Sequence, residues 1–210
     1  MKVLAINGSP HKEGNTNLAL KTVMQELEAE GIETELLHIG NKAVRGCISC
    51  GRCIKEKDCK CSINDDVNGW IQKMIAVDGL LLGSPVYYSG INGTMKAFLD
   101  RAFYVSTAAG RKMRHKVGAA VVAVRRAGAV PAVDQINKYF TISEMLMPAS
   151  NYWNMVYGMT PGESAGDLEG LQTMKVLGRN MAWLMKVLEY SKGHVAAPAL
   201  EQKTLTNFIR

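Results

Sequence analysis

Lys2-Val3-Leu4-Ala5-Ile6-Asn7-Gly8-Ser9-Pro10-His11-Lys12-Glu13-Gly14-Asn15-Thr16-Asn17 begins as a short apolar strand, passes through a polar turn and ends where a helix begins. The helix is expected over Thr16 to Glu30, with Leu18, Leu20, Val23, Met24 and Leu27 at helical spacing and Gly31 as its stop. A strand, a turn rich in hydrogen-bond donors and a helix N-terminus in that order place unpaired N–H groups and a positive dipole end where an anion can sit. Ser9, Asn15 and Thr16 add side-chain donors. There is no G-x-G-x-x-G and no Gly-Lys-Ser/Thr ending, which disfavours a dinucleotide fingerprint or a nucleoside-triphosphate loop. Simple helix capping by Ser and Asn is the competing explanation of this stretch.

The rest of the chain repeats the pattern. Strands are expected at Thr34 to Ile39, Gly79 to Gly83, Val117 to Val124 and around Ser150 to Val156. Helices are expected after Asp65 or Asp66, near Thr94 to Val105, over Asp134 to Leu146, and through the stripe Leu171, Met174, Leu177, Met181, Leu184, Met185 and Leu188. Val117 to Val124 is apolar throughout, as in strands buried on both faces. Alternating strands and helices predict an α/β fold with a doubly wound, five-stranded parallel sheet, residues 1–190 forming one domain and residues 191–210 an arm. A loop is expected from Ser84 to Gly93, across the sheet's switch point from the first turn.

The 210 residues, 47% hydrophobic, suffice for a full core and exclude a disordered or disulfide-stapled chain. The opening residues lack a signal peptide and no apolar stretch is long enough to span a membrane, so a cytoplasmic protein without a membrane span is expected. The net charge of +6 raises the question of nucleic acid. Its densest group, Arg111, Lys112, Arg114, His115 and Lys116, reads as a solvated loop before a strand, so no nucleic-acid partner is expected. A basic surface still favours small anions. Cys47-x2-Cys50-x2-Cys53, followed by Cys59 and Cys61, is spaced like the ligands of a 4Fe–4S cluster and unlike the separated pairs of structural zinc. A cysteine-rich loop without a cluster and a reversible dithiol are the alternatives.

The segment Gly83-Ser84-Pro85-Val86-Tyr87-Tyr88-Ser89-Gly90-Ile91-Asn92-Gly93-Thr94-Met95-Lys96-Ala97-Phe98-Leu99-Asp100-Arg101, taken with the first loop, resembles the NAD(P)H-dependent FMN reductases. With the cysteines it is similar to their iron–sulfur flavoprotein branch. The likeness covers roughly the first 130 residues and implies a flavodoxin-like fold. It implies that Ser9, His11, Asn15, Thr16 and Asn17 bind the FMN phosphate, and that Pro85, Val86, Tyr87, Tyr88, Ser89 and Gly90 lie along the isoalloxazine. Lys96, Asp100 and Arg101 match too and are read as structural or interfacial. Arg125-Arg126-Ala127-Gly128 stands where the family presents another flavin-side loop, and its two arginines depart from the glycine-rich pattern. In the iron–sulfur branch the fourth cysteine shortly precedes a carboxylate pair, here Asp65 and Asp66. Counting back from that pair favours Cys61, counting forward from Cys53 favours Cys59, and the sequence leaves the two open.

The resemblance implies an FMN-dependent oxidoreductase that takes electrons from NAD(P)H or a redox partner protein. A quinone-like or protein acceptor receives them, with or without passage through a 4Fe–4S cluster. No catalytic side chain is singled out, because flavin chemistry asks the protein chiefly for positioning and electrostatics. A flavodoxin-like electron carrier without its own substrate is the rival reading, and the basic charge and the cysteine segment count against it. Self-association into a homodimer or homotetramer is expected.

Overall fold

The computed structural model describes residues 1–206 and Phe208; Asn207, Ile209 and Arg210, the end of the expected arm, lie outside the described residues. The elements follow as β1 (Lys2–Asn7), α1 (Asn15–Ala29), β2 (Glu33–His38), α2 (Arg52–Glu56), α3 (Val67–Ala76), β3 (Gly79–Tyr87), β4 (Gly90–Ile91), α4 (Gly93–Ala108), β5 (Val117–Val124), α5 (Ala129–Ile142), β6 (Met155–Tyr157) and α6 (Leu168–Ser191). A short 3-10 turn at Glu163–Gly166 precedes α6.

The sheet order is β2-β1-β3-β5-β6, all parallel, with β4 paired antiparallel to the end of β3. This is the doubly wound order with its switch point between β1 and β3. The central strands are apolar throughout because both faces are covered. Leu4, Ile6, Leu80, Leu82, Ala120 and Val122 face α3, α4 and α5, while Val3, Ala5, Leu81, Ala119 and Val121 face α1 and α6. Two cores thus sandwich one sheet and hold the carboxyl ends of β1 and β3 side by side.

Three expectations need correction, and one element is added. The Ser84–Gly93 loop is in fact the continuation of β3 through Tyr87 and a hairpin, with Val86 opposite Ile91 and Tyr87 opposite Gly90. Its tip is made by Tyr88 and Ser89, both with positive φ (48° and 60°), the backbone of a tight two-residue turn. The helix expected over Asp134 to Leu146 starts at Ala129, with Pro131 in the first turn where a missing N–H costs nothing, and stops at Ile142. The strand expected from Ser150 shrinks to Met155–Tyr157, because Ser150 Oγ bonds Asn154 Oδ1 at 2.7 Å and holds the preceding residues in a turn. Within the cysteine segment α2 forms, which hydrophobic periodicity does not foretell.

Beyond Ser191, residues 192–206 form neither helix nor strand and are exposed. They are tied back where Arg114 donates to the Pro198 and Ala199 carbonyls. Among the described residues no helix is long and apolar enough to cross a membrane.

Candidate functional site

The exits of β1 and β3 are stitched together by backbone. Gly8 N–H donates to the Gly83 carbonyl at 2.8 Å, and the Asn92 side chain donates to the Gly8 carbonyl while its Oδ1 caps α4 at Met95 N–H (2.9 Å). The first loop is shaped from within. Asn7 Oδ1 accepts from Ser9 N–H at 2.9 Å, Ser9 Oγ accepts from His11 N–H at 3.2 Å, and the His38 ring meets the Ser9 carbonyl at 2.7 Å. Gly14, in extended conformation, heads α1 with no side-chain cap and no acidic residue in the first turn. The positive end of the helix is therefore left uncompensated, as an anion site requires.

One cleft of about 230 Å³ gathers Ser9, His11, Asn15 and Thr16 from the first loop and Pro85, Val86 and Tyr87 from the second. Asn17 is buried and does not reach its wall. Tyr88, Ser89 and Gly90 also lie off it, at the hairpin tip, where Tyr88 is fully exposed. Thr16 is 1% exposed, so its hydroxyl belongs to the cleft floor and not to a solvated cap. Asn15 also reaches across to the β6–α6 loop. Its Nδ2 donates to the Thr160 carbonyl (2.9 Å), and its Oδ1 accepts from Ser164 N–H (3.1 Å) and Ser164 Oγ (3.0 Å). The amide is spent on anchoring the β6–α6 loop against α1.

That loop is the part of the site the sequence reading missed. Gly158, Met159 and Pro161 close the cleft opposite the β3 exit, and Ala123 and Arg125 at the end of β5 complete it. A Cβ at Gly158 would stand 2.7 Å from Asn15 Nδ2 and 2.8 Å from Ser164 N, so glycine is what permits the close approach. Within the loop, Glu163 accepts N–H bonds from Met159 (2.6 Å) and Thr160 (2.7 Å), which hold its carboxyl below the usual glutamate range. The available signal was Gly158-x2-Pro161-Gly162 directly after the last short strand.

The second candidate site lies on the α4 side of the sheet. The five cysteines are free thiols, and Cys47, Cys50, Cys53 and Cys61 line one pocket of about 500 Å³ together with Asp100, Arg101 and Tyr104. Cys59 does not line it; its carbonyl is held by Gln72 Nε2 at 2.9 Å. Cys61 is pinned instead, its N–H to Asn68 Oδ1 (2.7 Å), its carbonyl to Asn68 Nδ2 (3.2 Å) and its sulfur to Arg101 Nε (3.4 Å). The segment coils tightly, with positive φ at Ser49, Gly51, Lys57 and Cys59. A hydrogen bond from Ser62 lowers the Cys50 thiol pKa, whereas burial raises that of Cys53. Among the described residues no three His, Cys, Asp or Glu side chains converge closely enough for a single metal ion.

Asp65 receives both arms of the buried Arg101 guanidinium, at 2.7 and 2.8 Å, and this hydrogen bonding holds its carboxyl below the usual aspartate range. A folded-state pKa lower than the unfolded one means that the pair contributes stability above the unfolded value of about 4, and that this is lost as pH falls through the folded value. Asp65→Asn is expected to be less stable than the parent by about 2 kcal/mol at neutral pH. The gap should close in acid. Denaturant midpoints of both proteins across an acid series check this, and a gap independent of pH would refute it.

The comparisons agree with this architecture. The profile of the NADPH-dependent FMN reductase family matches residues 1–160. An iron-sulfur flavoprotein of Methanocaldococcus jannaschii is 37% identical over 196 residues, covering 90% of this chain and all of that protein. One from Methanosarcina thermophila is 28% identical over 197 residues, covering 91% of this chain and 99% of that one. Among solved structures, RosB with a bound formylriboflavin phosphate intermediate superposes with a TM-score of 0.70 at 14% identity, covering 100% of this chain and 94% of that one. A flavodoxin from the domain Archaea gives 0.58 at 15% identity, covering 89% and 99%. These structural likenesses speak to fold. The match over residues 1–160, falling on the chain that builds the cleft, settles kinship: the protein belongs to the NADPH-dependent FMN reductase family.

Proposed function

We propose that the cleft takes one FMN, its phosphate toward residues 9–16 and its ring toward residues 85–87, and that the protein is an FMN-dependent oxidoreductase fed by NAD(P)H or a reduced partner protein. A quinone-like or protein acceptor would take the electrons. The observation that carries this reading is the convergence of the two loops on one cleft at the carboxyl ends of adjacent strands. Bound FMN supplies hydride and electron transfer at its ring. The chain's own contribution is positioning. The uncapped start of α1 and the Thr16 hydroxyl receive the phosphate, Pro85 and Val86 offer an apolar wall to a flat ring, and Arg125 adds a cation at the rim. The loop anchored by Asn15 covers one side and limits water.

The four-thiol pocket fits a 4Fe–4S cluster in the chemistry of its donors: four unpaired cysteines line one hollow, with a buried cation beside one sulfur. Cys47, Cys50, Cys53 and Cys61 would hold it, and it would supply one-electron capacity.

Absorption spectra with iron and sulfide analysis on anaerobically purified protein test both cofactors at once, and steady NAD(P)H oxidation with a quinone acceptor tests the activity. Protein that fails to retain FMN from saturating solution would end the proposal; FMN retention without turnover would favour a carrier. Asn15→Ala should leave the Ser164 groups and the Thr160 carbonyl without their partner and free the covering loop. FMN affinity is expected to fall by roughly tenfold or more, about 1.4 kcal/mol, by fluorescence-quenching titration. Unchanged affinity would remove Asn15 from the site.

A further inference from the structure

What closes the cysteine pocket comes from outside the cysteine segment. Arg101 projects from α4, and its side chain is fully buried. Beyond the Asp65 pair it donates from Nη1 to the Arg45 carbonyl (3.2 Å), from Nη2 to the Ile63 carbonyl (3.4 Å) and from Nε to Cys61 Sγ (3.4 Å). Arg45 lies just before the first pocket cysteine and Ile63 just after the last. One guanidinium therefore ties both ends of the excursion to each other and to a thiol. An ion pair kept only for packing needs Asp65 alone; the sulfur and carbonyl contacts use the rest of the planar fork.

Charge singles out the same side chain. Among the described residues Arg101 is the only cation on the pocket wall. Asp100 is the only carboxylate there, and it is already engaged by Lys96 (2.6 Å) and by the Tyr139 hydroxyl. A cluster gains one negative charge on reduction, and both a buried cation and an N–H bond to a ligand sulfur favour the more negative state.

Resting on the reading that this pocket holds a cluster, we propose that Arg101 is a positioning residue that orients Cys61 and, as the sole cation on the wall, makes the cluster easier to reduce. Removing that charge should lower the midpoint potential. Neutralising Asp65, which offsets it, should raise the potential. These opposite signs separate an electrostatic role from mere disturbance of the loop.

The experiment compares anaerobically reconstituted parent, Arg101→Gln, Arg101→Lys and Asp65→Asn by iron and sulfide content and by potentiometric titration of the cluster's electron paramagnetic resonance signal. Arg101→Gln is expected to shift the one-electron equilibrium at least tenfold toward the oxidised form, about 59 mV to the negative side. Arg101→Lys should shift less, and Asp65→Asn should move to the positive side. Equal potentials in all four, or shifts of one sign in Arg101→Gln and Asp65→Asn, would overturn the inference and leave the cluster reading standing. A parent protein that binds no iron and sulfide would overturn the cluster reading and this inference with it. Should Arg101→Gln not fold, Asp65→Asn and Arg101→Lys decide: a positive shift in the first and a smaller negative one in the second uphold the inference, and anything else refutes it.

Discussion

Cys61→Ser is expected to lose nearly all bound iron and sulfide, while Cys59→Ser keeps the parent's content. The two residues are separated by one position and differ entirely in environment. Cys61 is on the pocket wall with Cys47, Cys50 and Cys53, its backbone held by Asn68 and its sulfur by Arg101. Cys59 occupies a left-handed turn off that wall, with its carbonyl on Gln72. Loss of one of four thiolates leaves an iron open to solvent, whereas loss of a bystander sulfur leaves the donor set complete. Parallel iron and sulfide assays on the two variants, with FMN content as the control for folding, decide it. Equal losses, or the reverse order, would contradict the assignment of Cys61.

Gly40→Ala should be the most damaging single methyl group near the cleft. A Cβ there would fall 2.0 Å from the Ser9 carbonyl oxygen, 2.2 Å from its carbon and 2.3 Å from the Gly8 oxygen. All three are backbone atoms, so no side chain can swing aside and the first loop itself must shift. That loop is held on three further sides, by Gly83, Asn92 and His38. Overpacking against a fixed backbone costs about 2–3 kcal/mol. The displaced Ser9 should also weaken FMN binding by roughly tenfold or more, since the groups proposed to hold the phosphate move with it. Chemical denaturation and FMN titration of the purified variant give both numbers. A variant with parental stability and affinity would show that the loop tolerates movement and is not the rigid cradle described.

The sequence was informative where interactions are local. Lys2 to Ile6 announces a strand, Val117 to Val124 one covered on both faces, and the stripe of α6 its buried side. The first loop could be read because strand, turn and helix N-terminus are contiguous. Reading failed where distant residues decide. Ser84 and Pro85 carry no strand signature, yet Pro85 pairs in register with Ala123. The hairpin that follows turns on Tyr88 and Ser89 in place of the usual glycine and asparagine. The bonds of Asn15 to Thr160 and Ser164, some 145 residues away along the chain, have no signal in the sequence. The different surroundings of Cys59 and Cys61 depend in part on Arg101, 40 positions beyond Cys61. Spacing alone carries no information about such partners.

The hairpin tip has an implication for engineering. Tyr88 adopts a backbone shape that suits asparagine or glycine, at a penalty of about 1 kcal/mol, while its ring stands wholly in water. Among the described residues nothing covers that ring, so a redesign to Asn-Gly at positions 88 and 89 would give a firmer turn with a blunter rim. Such a protein would isolate what the phenol does for whatever approaches the mouth of the cleft, without loosening the strands that carry it.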